Sequence, residues 1–280
     1  MKSLEKIVET LVINGTLTDT PGLFYGKTGI AVFFFHYAQQ TGNALYQDYA
    51  MNLIEGIQEQ ITVTSSVRYD VGLAGIGAGF EYLMQNGFLE AEDEDIFEDF
   101  DARMFRTALY EPYPDLSFEG GLTGWGRYFI YRLRGKGQKS DKLNKALTHI
   151  VHEIVRNVMK NKVLENEQPD VYRFLHDITE LPGYADKCNK ALQKCRKWEC
   201  VQKPEVKKLF PYMNQLLRLY ACMKYFKMDL TEEIDLEWED WKEKENHSLT
   251  DMGLLNGWAN EGLLYLSYTR QKDYSLMNLL

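Results

Sequence analysis

The sequence predicts an all-α fold: an α/α toroid of about six inner/outer helix hairpins, closed by pairing of its N- and C-terminal helices. Three observations predict it. A glycine-led motif recurs along the chain, with Gly26, Gly72, Gly121 and Gly257 at equivalent places and intervals of 46 and 49 residues between the first three. Each copy opens a run that is apolar almost all round, the mark of a buried helix. An amphipathic stretch, with apolar residues stepping by three and four, follows the first and third runs.

Taken in order, the chain begins with an amphipathic helix over 3–13, carrying Leu4, Ile7, Val8, Leu11 and Val12. "GLFYGKTGIAVFFFHY" (22–37) then aligns without gaps on "GLLNGWANEGLLYLSY" (253–268), with "YDVGLAGIGAGFEYL" (69–83) and "FEGGLTGWGRYFIYRL" (118–133) between them. A second glycine follows three residues on as Gly29, Gly75 and Gly124, and becomes Asn260 in the last copy. Gly26-Lys27-Thr28 ends like a phosphate-binding loop, but Pro21 stands where the leading glycine belongs, and the other copies replace Lys27-Thr28 with Leu73-Ala74, Leu122-Thr123 and Trp258-Ala259. The glycines therefore belong to the architecture and not to a nucleotide site.

Breaks at Thr41-Gly42-Asn43, Asn86-Gly87 and Gly135-Lys136-Gly137 end the buried runs. Outer helices follow at 44–61 and 143–159. The acidic run "EAEDEDIFEDFD" (90–101) spaces Ile96, Phe97 and Phe100 as a helix does, so it reads as a solvated helix start. The interval of 136 residues from Gly121 to Gly257 leaves room for two degenerate copies, placed near 170–184 and 209–226. An inner helix at 258–269 lacks an outer partner and the first helix lacks an inner one, so the two are expected to pack together. A single domain over 1–280 accounts for all six units.

A net charge of −9, from 32 basic and 41 acidic residues, argues against a general nucleic-acid binder and permits a cationic peptide partner. No stretch approaches the apolar length of a membrane span, and "MKSLEKIVETLV" does not read as a signal peptide. Cys188, Cys195, Cys200 and Cys222 fit no zinc-ribbon spacing and read as reduced thiols of a cytoplasmic protein.

The repeated Gly-x-x-Gly ahead of a buried helix resembles the lanthionine synthetase C-like (LanC-like) family. The match is carried by Gly22, Gly26 and Gly29, Gly72 and Gly75, Gly121 and Gly124, and Gly253, Gly257 and Gly262. The resemblance implies a toroid whose glycine loops gather at one mouth, in a protein of a bacterial peptide-modification (lanthionine-type) pathway. In that family the cyclases hold zinc with two cysteines and a histidine, and the metal activates a substrate thiol for thioether ring closure. Here Leu255-Asn256-Gly257 stands where the family's Cys-His-Gly would stand, and no cysteine adjoins a glycine loop. The resemblance thus carries the fold without the metal: no cofactor and no metal ligand are expected.

Acids precede the inner helices at Asp19, Asp70, Glu119 and Asp251, with Asp70 and Glu119 both two residues before the glycine of their units. They are expected to share a central mouth, with His176 and Asp177 of the fourth unit joining them as acid–base candidates. Helix capping is the alternative role for such acids. Trp125, Asn256, Trp258 and Asn260 are candidate substrate-binding residues, while His149 and His152 read as surface and His36 as a bonded core residue. Three functional readings follow: a peptide-binding LanC-like protein without catalytic zinc, a carbohydrate-active α/α-barrel enzyme using paired carboxylates, and a cyclase with non-standard ligands.

Overall fold

The computed structural model describes residues 3–62, 64–90, 94–135, 140–243, 251–270 and 279–280, and every regular element among them is helical. In chain order the α-helices are α1 (Leu4–Asn14), α2 (Lys27–Thr41), α3 (Ala44–Gln60), α4 (Leu73–Gln85), α5 (Glu94–Tyr110), α6 (Leu122–Arg134) and α7 (Asp141–Met159). They continue as α8 (Gln168–Ile178), α9 (Ala185–Cys195), α10 (Glu199–Gln202), α11 (Gln215–Phe226), α12 (Thr231–Glu243) and α13 (Trp258–Thr269). Residues 91–93 of the acidic run and the Lys136-Gly137 break lie outside the described residues.

The inner ring consists of α2, α4, α6, α8, α11 and α13. These helices have little or no wet face: in α2 the run from Lys27 to His36 is buried throughout. The outer layer is α3, α5, α7, α9 and α12, completed by α1, which packs on α13. Outer helices bury one stripe, as Ala50, Leu53, Ile54 and Ile57 of α3 do, and start at side-chain caps such as Asn43 and Ser140. Gly42 and Gly87, with φ of 68° and 73°, make the left-handed turns from inner to outer helices.

The ring is closed. α13 packs against α2, and the series continues through α4 and α6 to α8. From α8 it passes to α11 through the Tyr225 hydroxyl, which donates to Asp177 Oδ2 at 3.1 Å, and through Tyr172 against Phe226. The outer α12 reaches α13 by stacking Trp238 on Tyr268, with ring centroids 4.2 Å apart. The expected pairing of the first and last helices is therefore present. The two degenerate units have their inner helices at Gln168–Ile178 and Gln215–Phe226, so the first begins two residues before the motif placed from sequence.

Among the polar core groups, His36 Nε2 shares a 2.8 Å hydrogen bond with the Tyr82 hydroxyl. Arg132 lies 2.5 Å from Glu81 and 2.9 Å from Asp101, and its guanidinium covers the Phe97 ring at 3.8 Å. Lys27 is buried in the wall of the ring and Thr28 Oγ1 donates to the Pro21 carbonyl at 2.6 Å, which commits the apparent phosphate loop to the fold.

Candidate functional site: the loop belt at the mouth of the toroid

The loops ahead of the inner helices share a geometry set by their sequence. The first amide of each glycine-led inner helix donates seven residues back: Lys27 to Thr20, Leu73 to Ser66, Leu122 to Asp115 and Trp258 to Asp251. This bond folds the loop tightly over the helix start. A Cβ on Gly75 would collide with the Tyr69 carbonyl of its own loop and approach Leu23 of the preceding unit. Gly124 lies in the same way against Phe118 and Tyr69, and Gly29 against Leu23 and Leu254. The second glycine is thus required by close approach: each unit's helix start abuts the loop of the unit before it.

Hydrogen bonds then join the loops into a closed belt. Leu255 N–H donates to the Phe24 carbonyl at 2.9 Å, Phe24 N–H to the Asp70 carbonyl at 2.9 Å, and Tyr69 N–H to the Glu119 carbonyl at 2.8 Å. The fourth unit has no glycine loop, and a side chain takes over: Asp170 Oδ2 accepts from Phe118 N–H at 3.0 Å, while Oδ1 accepts from the Tyr212 hydroxyl at 2.7 Å. Asn256 Nδ2 donates to the Tyr212 carbonyl at 3.0 Å and completes the circuit. Inside this belt the rings of Phe24, Tyr69 and Phe118 pack together, with Tyr69 and Phe118 centroids 4.7 Å apart.

The structure brings some sequence candidates together and separates others. Asp70 and Glu119 are neighbours at the mouth, with Asp251 close by, and all three acids act electrostatically on Tyr25, which is exposed among them. Asp70 is buried, gripped by the Arg68 guanidinium fork, and accepts from Val71 N–H at 2.9 Å. Glu119 is half-buried, and desolvation, reinforced by Asp70, pushes its carboxyl up. Among the described residues its side chain makes no hydrogen bond or ion pair.

His176 and Asp177 do not join these acids. They lie at the opposite end of α8 from Asp170, two helical turns away from the loops. Asp177 pairs with Arg127 at 2.5 Å, and His176 sets its ring edge-on to Tyr225. Trp125 and Trp258 are buried in their helices and not presented as a floor. Asn260 is fully buried, whereas Asn256 is exposed in a left-handed turn with φ of 58° and its amide engaged in the belt.

A closed ring of six hairpins, with glycine loops gathered at one mouth, coincides with a match to the family model described as lanthionine synthetase C-like protein, over residues 19–176. The chain belongs to the lanthionine synthetase C-like family. No curated protein matches it closely enough to transfer a more specific name. The matched residues contain the first three units and α8 as far as His176; Leu255-Asn256-Gly257 lies beyond them.

The zinc of LanC-like cyclases can be tested against the residues present. Leu255 is buried and apolar, and Asn256 spends its amide on Tyr212. Burial pushes the thiols of Cys188, Cys200 and Cys222 up to about 11 and that of Cys195 up to about 12, far from the thiolate that zinc requires. Among the described residues, the donors that cluster are His176, Asp177 and Glu180, whose candidate atoms lie within 4.8 Å of one another. Arg127 holds Asp177 there and Arg134 holds Glu180, so cations already neutralise the two carboxylates. This donor set does not fit a thiolate-activating centre.

The residue that sequence reasoning missed is Asp170. It occupies the second-glycine place of the fourth unit, 46 residues after Gly124, and lies two residues past the helix start as Gly29, Gly75 and Gly124 do. Register would have found it; residue type concealed it, because an acid there contradicts the glycine pattern. Burial drives its carboxyl up to about 6 despite the two hydrogen bonds it accepts.

Proposed function

We propose that this LanC-like protein serves a bacterial lanthionine-type peptide-modification pathway by binding a peptide at its loop face, without a catalytic zinc. The observation that carries this reading is the arrangement of Tyr25, Glu119, Asp70 and Asp251. An exposed aromatic ring is surrounded by acids from three other segments, and the carboxyl of Glu119 is held in a partly dry setting, influenced by the Arg68 guanidinium but not hydrogen-bonded to it, since Arg68 is engaged by Asp70. Such a surface favours a peptide carrying lysine or arginine: the aromatic ring offers apolar and cation–π contact, and Glu119 offers a charge-assisted hydrogen bond.

The alternatives have less to stand on. Paired-carboxylate chemistry needs two carboxyls able to exchange protons beside one substrate. Asp70 is committed to Arg68 and Val71, and Asp170 to Phe118 and Tyr212. A cyclase with substitute ligands needs a metal centre, and in the donor cluster found among the described residues both carboxylates, Asp177 and Glu180, are already ion-paired. The test is titration of a Lys-rich, Cys-containing peptide, blocked at both ends, against metal-free protein. Binding that weakens with salt and with Glu119→Gln supports the reading; accelerated loss of the peptide thiol on adding zinc opposes it.

A further inference from the structure

We propose that the centre of the ring, at Tyr69, Arg127 and Arg173, is a binding site for a short apolar peptide segment bearing a carboxylate, and that Leu279 and Leu280 occupy it in cis. The proposal deepens the peptide-binding reading above and rests on it. Its first observation is the cis segment itself. Leu279 and Leu280 are buried, and the Tyr69 hydroxyl donates to the Leu279 carbonyl at 3.0 Å. Tyr69 is fully buried in the aromatic cluster inside the belt, and the Arg127 guanidinium acts electrostatically on its hydroxyl. A backbone carbonyl is therefore recognised at the middle of the toroid, one hydroxyl away from a guanidinium.

The second observation is independent. Arg173 on α8 is only 2 % exposed, yet its Nε and Nη1 have no hydrogen-bond partner. Its guanidinium lies over the Phe118 ring at 4.5 Å and beside Tyr225 at 5.3 Å. A buried guanidinium with unmet donors is costly unless an acceptor completes it. The two unmet donors of Arg173 point to an anion: the nearby Asp177 bonds Arg127 and Tyr225 through Oδ2, and neither of its oxygens reaches Arg173 Nε or Nη1. The next acid, Asp170, already holds Phe118 and Tyr212.

Register explains why the two arginines form one site. Arg127 and Arg173 each stand five residues after the first residue of consecutive inner helices. At that place α2, α4 and α13 carry Val32, Ala78 and Leu263, all fully buried. The ring thus has an apolar arc and a cationic arc at one level. Apolar side chains match the first; a carboxylate, planar and able to accept two N–H bonds, matches the second.

The test uses the full chain and three probes: N-acetyl-Leu-Leu as the free acid, the same dipeptide as its amide, and N-acetyl-Leu-Glu amide. The substitutions Leu279→Lys and Leu280→Lys together expel the cis segment, since two ammonium groups cannot remain buried beside arginines. This variant is expected to bind an acid probe at least about tenfold more tightly than the unaltered chain does, and about tenfold more tightly than it binds the dipeptide amide. A preference for the free acid assigns a terminal carboxylate; a preference for the Glu-containing amide assigns a side-chain one. Adding Arg173→Gln should abolish the preference for acid.

The unaltered chain supplies a second readout that does not depend on the folding of the double variant. Millimolar acid probe should accelerate amide exchange at Leu279 and Leu280, and the dipeptide amide should not. Equal binding of acids and amide, or exchange at 279–280 indifferent to saturating acid probe, would overturn the proposal. The blocked Lys-rich peptide separates this outcome from failure of the broader reading, because its binding at Glu119 is independent of Arg173 and of residues 279–280.

Discussion

The backbone N–H of Phe118 donates to Asp170 Oδ2 across 3.0 Å, joining the loop of the third unit to the inner helix of the fourth. A side chain here does what a loop carbonyl does elsewhere in the belt. Burial raises its carboxyl from 3.8 to about 6, so the folded state holds the proton more tightly than the unfolded chain. The sign follows: this group favours folding most below pH 4, and its contribution falls as pH rises through 6. Relative to the wild type, Asp170→Asn should gain stability between pH 4 and 6, by up to about 3 kcal/mol. Asp170→Ala should lose about 1–3 kcal/mol below pH 4 by leaving Phe118 N–H unpaired. Thermal melts of the three proteins across pH check this, and a difference curve flat from pH 4 to 7 would refute it.

Gly75 and Gly42 predict opposite consequences of the same substitution. Gly75→Ala forces a methyl into the Tyr69 carbonyl and the neighbouring Leu23, with backbone on one side and core on the other. A loss of several kcal/mol, on the order of the largest single-site effects, is expected. Gly42→Ala has open space and meets only its left-handed φ of 68°, at a cost of about 1 kcal/mol. Chemical denaturation of the two variants measures both, and comparable losses would contradict the close-approach account of the second glycines.

Arg132 ties three helices together through Glu81 and Asp101. Replacing it with alanine leaves Glu81, itself buried, without its cation, and should cost about 3–5 kcal/mol. Arg132→Ala combined with Glu81→Met should recover much of that loss, because the unpaired charge goes with the second substitution. A double variant no more stable than the single one would show that lost packing, not the uncompensated charge, sets the cost.

Desolvation of the four cysteines, three buried and Cys200 half-buried, gives a prediction about reactivity. With thiols pushed up to about 11 and 12, the thiolate fraction near neutral pH is at least about a hundredfold below that of an ordinary cysteine. Iodoacetamide at pH 7 should therefore label the native chain at least about a hundredfold more slowly than the unfolded chain. Rapid labelling of any one thiol would identify an activated cysteine and reopen the question of a metal or nucleophile there.

Much of the fold was legible because glycine marks places where backbones meet. Gly26, Gly72, Gly121 and Gly257 reveal four units directly, and the unpartnered helices at either end foretell the α1–α13 pairing. The fourth and fifth units carry no such mark because they solve the same contacts with side chains. Asp170 replaces a glycine and Tyr212 carries a belt bond through its hydroxyl, and neither substitution preserves the motif. The mouth was legible for Asp70 and Glu119, whose register put them side by side. His176 and Asp177 share a unit with the belt residue Asp170 but sit at the far end of its inner helix, because chain position says nothing of depth. The buried Arg127 and Arg173 recur at one register, but charged residues in an apolar run give no signal of their partners until Asp177 and Phe118 are placed around them.

The central claim, zinc-independent peptide binding at the acidic loop face, is tested most directly by one titration. Chelator-treated, dialysed protein is titrated with the end-blocked Lys-rich, Cys-containing peptide, with and without one equivalent of zinc, and compared with Glu119→Gln. The account predicts binding in the absence of metal, unchanged by zinc, weakened about tenfold by the substitution and weakened further by salt. Binding that appears only with one zinc per chain, accompanied by loss of the peptide thiol, would contradict it.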